Sequence, residues 1–263
     1  MSAVVLMCPK CADVLNKDEI KKDYCAKCGP FKTASTLAEN LRKKGYPVIG
    51  GSILSDKMEK DRDFAQKLVK ENCPDVSIPE YKAFTSIKAG IAFLGSEDEK
   101  TYCFKPNNMA TDMTFIPRKG GNESVIHMMQ DCPENTKFIL QEKIDPKTVI
   151  EISTEGWFNG KDWIEGAFNH TLEQKRFLVG DWGPNCGCTG SVVWKCGEDP
   201  LVEMLLLPFT EILRKANYAG PFDVNAMVSE DEVSFLEFTA RFGYDAIQNL
   251  SLLMEDAAEF FRQ

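Results

Sequence analysis

The segment Gly180-Asp181-Trp182-Gly183-Pro184-Asn185-Cys186-Gly187-Cys188-Thr189-Gly190 places four glycines and a proline within eleven residues. Glycine raises the entropic cost of ordering a chain, and proline removes a backbone donor. No regular helix or strand is expected to run through such a stretch. Yet it lies between two strand-like runs, one over 163–170 and one over 191–194. A glycine-rich turn in that position is either a tight connection or a place where backbone amides approach a ligand.

The chain has 263 residues, enough for one large or two modest domains with a real core. No apolar run reaches the eighteen or so residues of a membrane span. The apolar start, residues 1–7, lacks a basic leader and runs straight into Cys8, so a cytoplasmic location is expected. A net charge of −9 argues against a broad nucleic-acid surface. The cluster of lysines between Lys10 and Lys44 reads as a solvated surface.

Four of the ten cysteines have a pattern. Cys8-Pro9-Lys10-Cys11 and Cys25-Ala26-Lys27-Cys28 form two Cys-x-x-Cys pairs separated by thirteen residues. Each pair points two thiolates at one ion, and two pairs complete the tetrahedral shell of a structural zinc. A zinc ribbon over residues 1–33 is therefore expected, with Zn²⁺ supplying stability that so short a segment cannot draw from a core. Such a ribbon can contact nucleic acid, a protein or nothing. Cys103 reads as core. His127 and His170 are too dispersed for a general-base scheme and read as structural.

Periodicity predicts helices over 34–45 and 56–72, the second capped by Asp56, with a brief strand and turn over 46–51 between them. A strand is expected near 80–85, a helix near 86–94 and a strand over 101–105. A polar loop to Gly121 follows, then a helix over 122–131. Strands are expected at 137–142, 148–157, 163–170, 191–194, 222–228 and 233–239, with helices over 200–217 and 245–262. This order is α+β with mainly antiparallel strands.

The last two strands carry the chemistry. Paired through a turn at Ser229–Glu232, they bring Asp223 and Glu237 close on one face, with Thr239 two residues beyond Glu237 on that face. Two carboxylates and a hydroxyl suit Mg²⁺, a hard ion that prefers oxygen. Arg241 can neutralise a phosphate oxygen. A solvated carboxylate pair on an edge hairpin is the bland alternative. Lys105 ends an apolar strand at the mouth of a polar loop, where a lysine can reach a triphosphate. Gln141-Glu142-Lys143-Ile144 ends another strand, as a nucleotide hinge does.

In this order the elements resemble the ATP-grasp family, and within it the phosphoribosylamine–glycine ligases. The motif Gly-Asp-x-Gly-Pro-Asn-x-Gly-x-x-Gly is matched by Gly180, Asp181, Gly183, Pro184, Asn185, Gly187 and Gly190. The motif Glu-x-Asn-x-Arg-Phe-Gly is approximated by Glu237, Thr239, Arg241, Phe242 and Gly243. The likeness covers roughly residues 45–250. It implies two α+β subdomains that clasp ATP: a smaller one over 79–145 and a catalytic one over 146–263, preceded by a remnant segment over 34–78. It also implies a reaction in which ATP phosphorylates a carboxylic acid such as an amino acid, and an amine displaces phosphate to leave an amide.

Carried over by position, the resemblance assigns Lys105 to the ATP phosphates. It gives Gln141, Glu142 and Ile144 to the adenine and Glu151 to the ribose. Mg²⁺ (or Mn²⁺) falls to Glu237, Asp223 and Thr239, and the acyl phosphate or substrate to Asp181, Asn185 and Arg241. Thr239 stands where the family motif has Asn, and the loop after Lys105 is poor in glycine. About 50 residues precede the matching region, and the ribbon fills much of them. An amine acceptor other than phosphoribosylamine, presented on a macromolecule, is therefore expected. A kinase on the same scaffold and a non-catalytic nucleotide-binding scaffold are the competing readings.

Overall fold

A computed structural model describes residues 24–25, 29–30, 34–107, 114–117, 121–144, 149–178, 180, 183, 185–243 and 246–262. The first elements are β1 (Tyr24–Cys25) and β2 (Gly29–Pro30), paired antiparallel, then helices α1 (Ala34–Lys43), α2 (Ile53–Lys60) and α3 (Arg62–Asn72). Next come β3 (Tyr81–Phe84), α4 (Ile87–Gly95), β4 (Tyr102–Pro106), α5 (Gly121–Gln130) and β5 (Phe138–Glu142). The remainder is β6 (Ile150–Asn159), β7 (Trp163–Arg176), β8 (Asn185–Cys196), α6 (Pro200–Leu205), α7 (Thr210–Lys215), β9 (Ala219–Val228), β10 (Val233–Thr239), α8 (Ala246–Leu253) and α9 (Ala257–Phe260). No helix among the described residues is long and apolar enough to cross a membrane.

Two antiparallel sheets organise these elements. The smaller has the order β3-β5-β4, and the larger β10-β9-β6-β7-β8. In the smaller sheet Phe104, Phe138 and Leu140 pack against Ile87, Leu94, Val125 and Met129 of α4 and α5. Gly90 is needed there: a Cβ on it would sit 2.5 Å from the Phe138 ring. In the larger sheet, Phe222, Val224 and Ala226 of β9 and Phe235 and Phe238 of β10 turn to one side. They meet Val202, Leu205, Phe209 and Leu213 around α6 and α7, and Met58, Ala65 and Val69 of α2 and α3. Six aromatic rings (Phe158, Phe209, Tyr218, Phe222, Phe235, Phe238) are wholly or almost wholly buried in this core.

Strand alternation sends the intervening residues to the other face. A β-bulge in β10 makes this work. Phe235 pairs with Ala226, but Glu237, not Leu236, pairs with Asn225, and Thr239 pairs with Asp223. The extra residue shifts the parity, so Glu237 and Thr239 join Asp223 and Asn225 on the polar face while Phe238 stays in the core.

Several local expectations are corrected. The helix expected over 56–72 is two helices. Ser52 caps the first through a reciprocal capping box with Ser55, and Asp61 caps the second. Asp56 is inside α2 and accepts from Ser35 Oγ at 2.8 Å, so it is no cap. The strand expected over 46–51 reduces to one bridge, Gly50 to Ala219. The Arg42 guanidinium takes the carbonyls of Val48, Gly50 and Gly51 instead of a neighbouring strand. The helix expected over 200–217 breaks at Pro208 into α6, a 3₁₀ turn and α7. That over 245–262 breaks where Asp256 caps α9. Strand β7 runs six residues past its expected end at 170.

Candidate functional site

The outward faces of the two sheets meet. On the smaller sheet Lys105 pairs in register with Ile139, and Cys103 with Gln141, so these four share the face opposite the Phe138 and Leu140 core. On the larger sheet the polar face carries Glu237 and Thr239, Asp223 and Asn225, Glu151, Ser153 and Glu155, and Asn169, Thr171 and Glu173, aligned across β10, β9, β6 and β7. Arg62, the first residue of α3, closes one side.

Charge is concentrated and paired in this cleft. Arg62, only 8% exposed, donates to Glu237 Oε2 at 2.7 Å. Lys175 pairs with Glu151 at 3.4 Å and with Glu173. Lys105 is 7% exposed and lies within the fields of Glu237 and Glu151. Burial lowers its pKa from the ordinary lysine value, with Glu237 pulling the other way. Burial also works against the charge of Lys175, but Glu151 and Glu173 hold its pKa above the ordinary value.

The two carboxyls of the β9–β10 pair differ. Burial pushes the Asp223 carboxyl up to about 7, against a hydrogen bond from Ser153 and with added repulsion from Glu173. Glu237 also feels burial, but Arg62, Lys105 and Lys175 together bring it below the usual carboxylate range. Its side chain is about a third exposed (32%), so solvent tempers that effect. Asp223 Oδ1 accepts from Asn225 at 3.1 Å, and the same amide reaches Thr239 Oγ1 at 3.4 Å.

The sequence-predicted residues divide into three sets. Lys105, Glu151, Asp223, Glu237 and Thr239 come together in the cleft. Gln141 faces it from the smaller sheet, and neither of its buried side-chain polar atoms has a hydrogen-bond partner among the described residues. Such an orphaned amide suits a ligand that both donates and accepts. Glu142 sits at the end of β5 in an ion pair with Lys100 at 3.0 Å, and Ile144 is half-buried just beyond. Arg241 is not brought into the cluster. Its exposed guanidinium donates to Glu59 Oε1 of α2 at 2.8 Å. Asp181, Cys8, Cys11 and Cys28 lie outside the described residues; Asn185 and Cys25 are described by backbone only, Asn185 opening β8 and Cys25 in β1.

Against expectation, the second half of the glycine-rich segment is strand. Strand β8 begins at Asn185 and loses register with β7, where Arg176 pairs with Asn185 but Gln174 pairs with Gly190. Thr189 Oγ1 donates to the carbonyls of Gln174 and Arg176 and fastens this irregular stretch to β7. Gly183 is required for a close approach, since a Cβ there would lie 1.9 Å from the Phe177 carbonyl oxygen.

Arg62, Glu173 and Lys175 are cleft residues that sequence reasoning missed. For the last two a signal existed: Asn169, Thr171, Glu173 and Lys175 continue a period-2 polar pattern beyond residue 170. For Arg62, at the start of a helix, none did. A cavity of about 430 Å³ lies apart from the charged pairs, between the sheet and α8–α9, lined by Trp157, Asn169, Lys195, Leu250 and Phe260 among others.

No family model matches the chain. It is 24% identical over 234 residues to the bifunctional purine biosynthetic protein ADE5,7 of Saccharomyces cerevisiae, covering 82% of this chain and 28% of that protein. It is 25% identical over 244 residues to the phosphoribosylamine–glycine ligase of Methanocella arvoryzae, covering 85% of this chain and 53% of that protein. The ligase of Leifsonia xyli is 23% identical over 217 residues, with coverages of 79% and 49%. The chain thus spans about half or less of these relatives' length. Among solved structures, phosphoribosylamine–glycine ligase of Thermotoga maritima superposes with a TM-score of 0.55 at 16% identity, covering 82% of this chain and 57% of that one. The VanG D-Ala:D-Ser ligase of Enterococcus faecalis gives 0.51 at 17% identity, with coverages of 81% and 61%. With its charged cleft between a three-stranded and a five-stranded antiparallel sheet, the chain has the α+β ATP-grasp fold, and in sequence it is similar to the phosphoribosylamine–glycine ligases.

Proposed function

We propose that the chain is an ATP-dependent carboxylate–amine ligase that forms an amide through an acyl phosphate. The observation that carries this reading is the convergence of Arg62, Lys105 and Lys175 with Glu151, Asp223 and Glu237 between the two sheets. Three buried or half-buried cations beside clustered carboxylates suit a polyphosphate and its metal better than they suit a core. The comparisons support the same class: two of the three similar sequences and both superposing structures named above are ligases.

In this reading Gln141, with both polar atoms unsatisfied, contacts the adenine together with Glu142 and Ile144, and Glu151 meets the ribose. Lys105 and Lys175 hold the phosphates in line, and Arg62 keeps Glu237 oriented. Glu237, Asp223 and Thr239 present the oxygen donors that Mg²⁺ prefers. The ion, when bound, neutralises charge on the transferring phosphoryl group. Catalysis by this chain is then positioning and charge neutralisation, with no protein nucleophile. Asp181 and Asn185 face the acid substrate.

The amine acceptor is proposed to differ from phosphoribosylamine. The departure at Arg241 supports this: the residue that the resemblance assigns to the acyl phosphate or substrate is held by Glu59 instead. That same placement of Arg241 favours the second reading, a non-catalytic nucleotide-binding scaffold. Four structural zinc ligands at Cys8, Cys11, Cys25 and Cys28 remain part of the proposal on sequence spacing alone.

The test is ADP and phosphate release by the purified chain with Mg²⁺ and ATP across a matrix of amino acids and amines, beside Glu237→Gln. Turnover that needs both substrates and vanishes in Glu237→Gln supports the ligase. A stable phosphoester product would point to a kinase. Mg²⁺-dependent ATP binding without turnover on any substrate pair would favour the scaffold.

A further inference from the structure

On the opposite face of the five-stranded sheet from the charged cleft, three donors of different chemistry converge. They are His170 of β7, Cys196 at the end of β8 and Asp199 at the start of α6, and their ligating atoms all lie within 4.8 Å of one another. We propose that these three residues bind a divalent cation of the zinc class.

Each donor is already positioned. His170 is 4% exposed, and its Nδ1 lies 3.0 Å from Thr154 Oγ1, which fixes the ring and turns Nε2 towards Asp199 at 2.7 Å. Trp194 flanks the ring, with centroids 5.5 Å apart. Asp199 divides its two oxygens: Oδ1 accepts from the Leu201 and Val202 amides and caps α6, while Oδ2 faces His170. Burial opposes the charge of Asp199, but the contacts with His170 and the helix amides bring its carboxyl below the usual range. The Cys196 thiol lies beside Asp199, and burial first, then the charge of that carboxylate, pushes its pKa up to about 11.

A hydrogen bond therefore holds His170 to the carboxylate, with the Cys196 sulfur beside them, around the place a cation would occupy. Ligand bonds of 2.0–2.3 Å in a tetrahedral shell put donors about 3.3–3.8 Å apart. The His170–Asp199 separation is 2.7 Å and no pair exceeds 4.8 Å, so small side-chain rotations suffice. On binding, Cys196 gives its proton to solvent and ligates as thiolate. His170 ligates through Nε2 in its Nδ1–H tautomer: the Nε2 proton that faced Asp199 passes to solvent, while Nδ1 takes one up and donates it to Thr154 Oγ1. One proton is released per ion, and solvent fills the fourth position. A mixed nitrogen, sulfur and oxygen set selects zinc-like ions over Mg²⁺ or Ca²⁺. The half-exposed Cys196 and Asp199 leave a path for entry. The oriented imidazole supplies the second-shell support that metal-bound histidines use. An ion here ties β7, the end of β8 and α6 together.

The test is a titration of the intact chelator-treated chain with Co²⁺, following thiolate-to-cobalt charge transfer, and with Zn²⁺ against a chromophoric chelator. The readout is a difference between variants, so metal held elsewhere on the chain cancels. Cys196→Ala should bind one cobalt fewer than wild type and lose one thiolate's share of the charge-transfer band. Asp199→Asn keeps the helix cap and should weaken the same site at least tenfold. Excess Mg²⁺ should displace nothing. Equal stoichiometry and identical spectra for wild type, Cys196→Ala and Asp199→Asn, with matching circular dichroism, would overturn the proposal. If Cys196→Ala does not fold, Asp199→Asn alone decides, by whether cobalt affinity falls.

Discussion

The two faces of the five-stranded sheet are built from the same strands by an alternation that a bulge in β10 resets, yet they do opposite work. One buries Phe222, Val224, Phe235 and Phe238 against helices and carries the cohesion of the larger body. The other gathers Glu151, Glu173, Lys175, Asp223 and Glu237 and turns them towards Lys105 on the smaller sheet. The difference teaches that stability and chemistry sit back to back in this fold, separated by one backbone thickness. The charged face tolerates its burial because each strong charge has an opposite neighbour, with Asp223 relieved by taking up a proton.

The separation can be broken most forcefully from the apolar side. Phe222→Ala should cost about 3–5 kcal/mol in urea unfolding, because it opens a cavity among four other rings. A loss below about 1 kcal/mol would mean that this face is not the stability core. On the polar side, Glu237→Gln should lower ATP turnover by roughly 100-fold, about 3 kcal/mol, with a much smaller change in melting temperature. A collapse of folding in that variant would show that the charged face is structural after all.

Lys105→Met sharpens the contrast further. It removes a buried ammonium while keeping the stem, so nucleotide affinity should fall about tenfold or more while thermal stability holds or rises. Calorimetry with a non-hydrolysable ATP analogue and a melting curve read the two effects together.

The smallest effect is a pH dependence with two signs. Asp223 is raised on folding, so its contribution is fully present below the ordinary carboxylate range and is lost as pH climbs through about 7. Glu237 is lowered, so its contribution is present above that range and is lost as pH falls through its lowered folded-state value. In chelated protein, Asp223→Asn should gain about 1 kcal/mol at pH 8, discounted for partial exposure, and nothing near pH 4. Added Mg²⁺ should narrow that gap at high pH. A flat difference across the range would remove Asp223 from the set of strained charges.

Much of this was legible in the sequence, for reasons that differ by residue. The antiparallel α+β order and the β9–β10 hairpin follow from period-2 patterns and one turn, whereas the shared face of Asp223 and Glu237 depends on the bulge at Leu236, which plain alternation does not show. The position of Lys105 follows from its place at the end of an apolar strand. Arg62 was hidden, because nothing local distinguishes an arginine that crosses to another sheet from one in solvent. Lys175 was hidden by an early strand end: polar residues on both sides of a strand margin look like a loop until the partner sheet is known. The break at Asp61 was hidden by continuous helical periodicity, which does not reveal a cap in extended conformation. The family motif led to Arg241, and the competing partner Glu59, 182 residues away, could not be read from spacing.

The bulge in β10 has a consequence for how this chain can vary. Leu236 acts as a spacer in a two-letter reading frame. A strand that paired regularly through Leu236 would turn Glu237 and Thr239 into the aromatic core and Phe238 into the cleft, whereas removal of Leu236 leaves Glu237, Phe238 and Thr239 opposite Asn225, Val224 and Asp223 in a regular ladder. A single-codon deletion of Leu236 should therefore be far less damaging than deletion of Phe238, which would turn Thr239 into the core. Homologous chains should vary in length at the bulge and keep the polar–apolar alternation from Glu237 to Thr239.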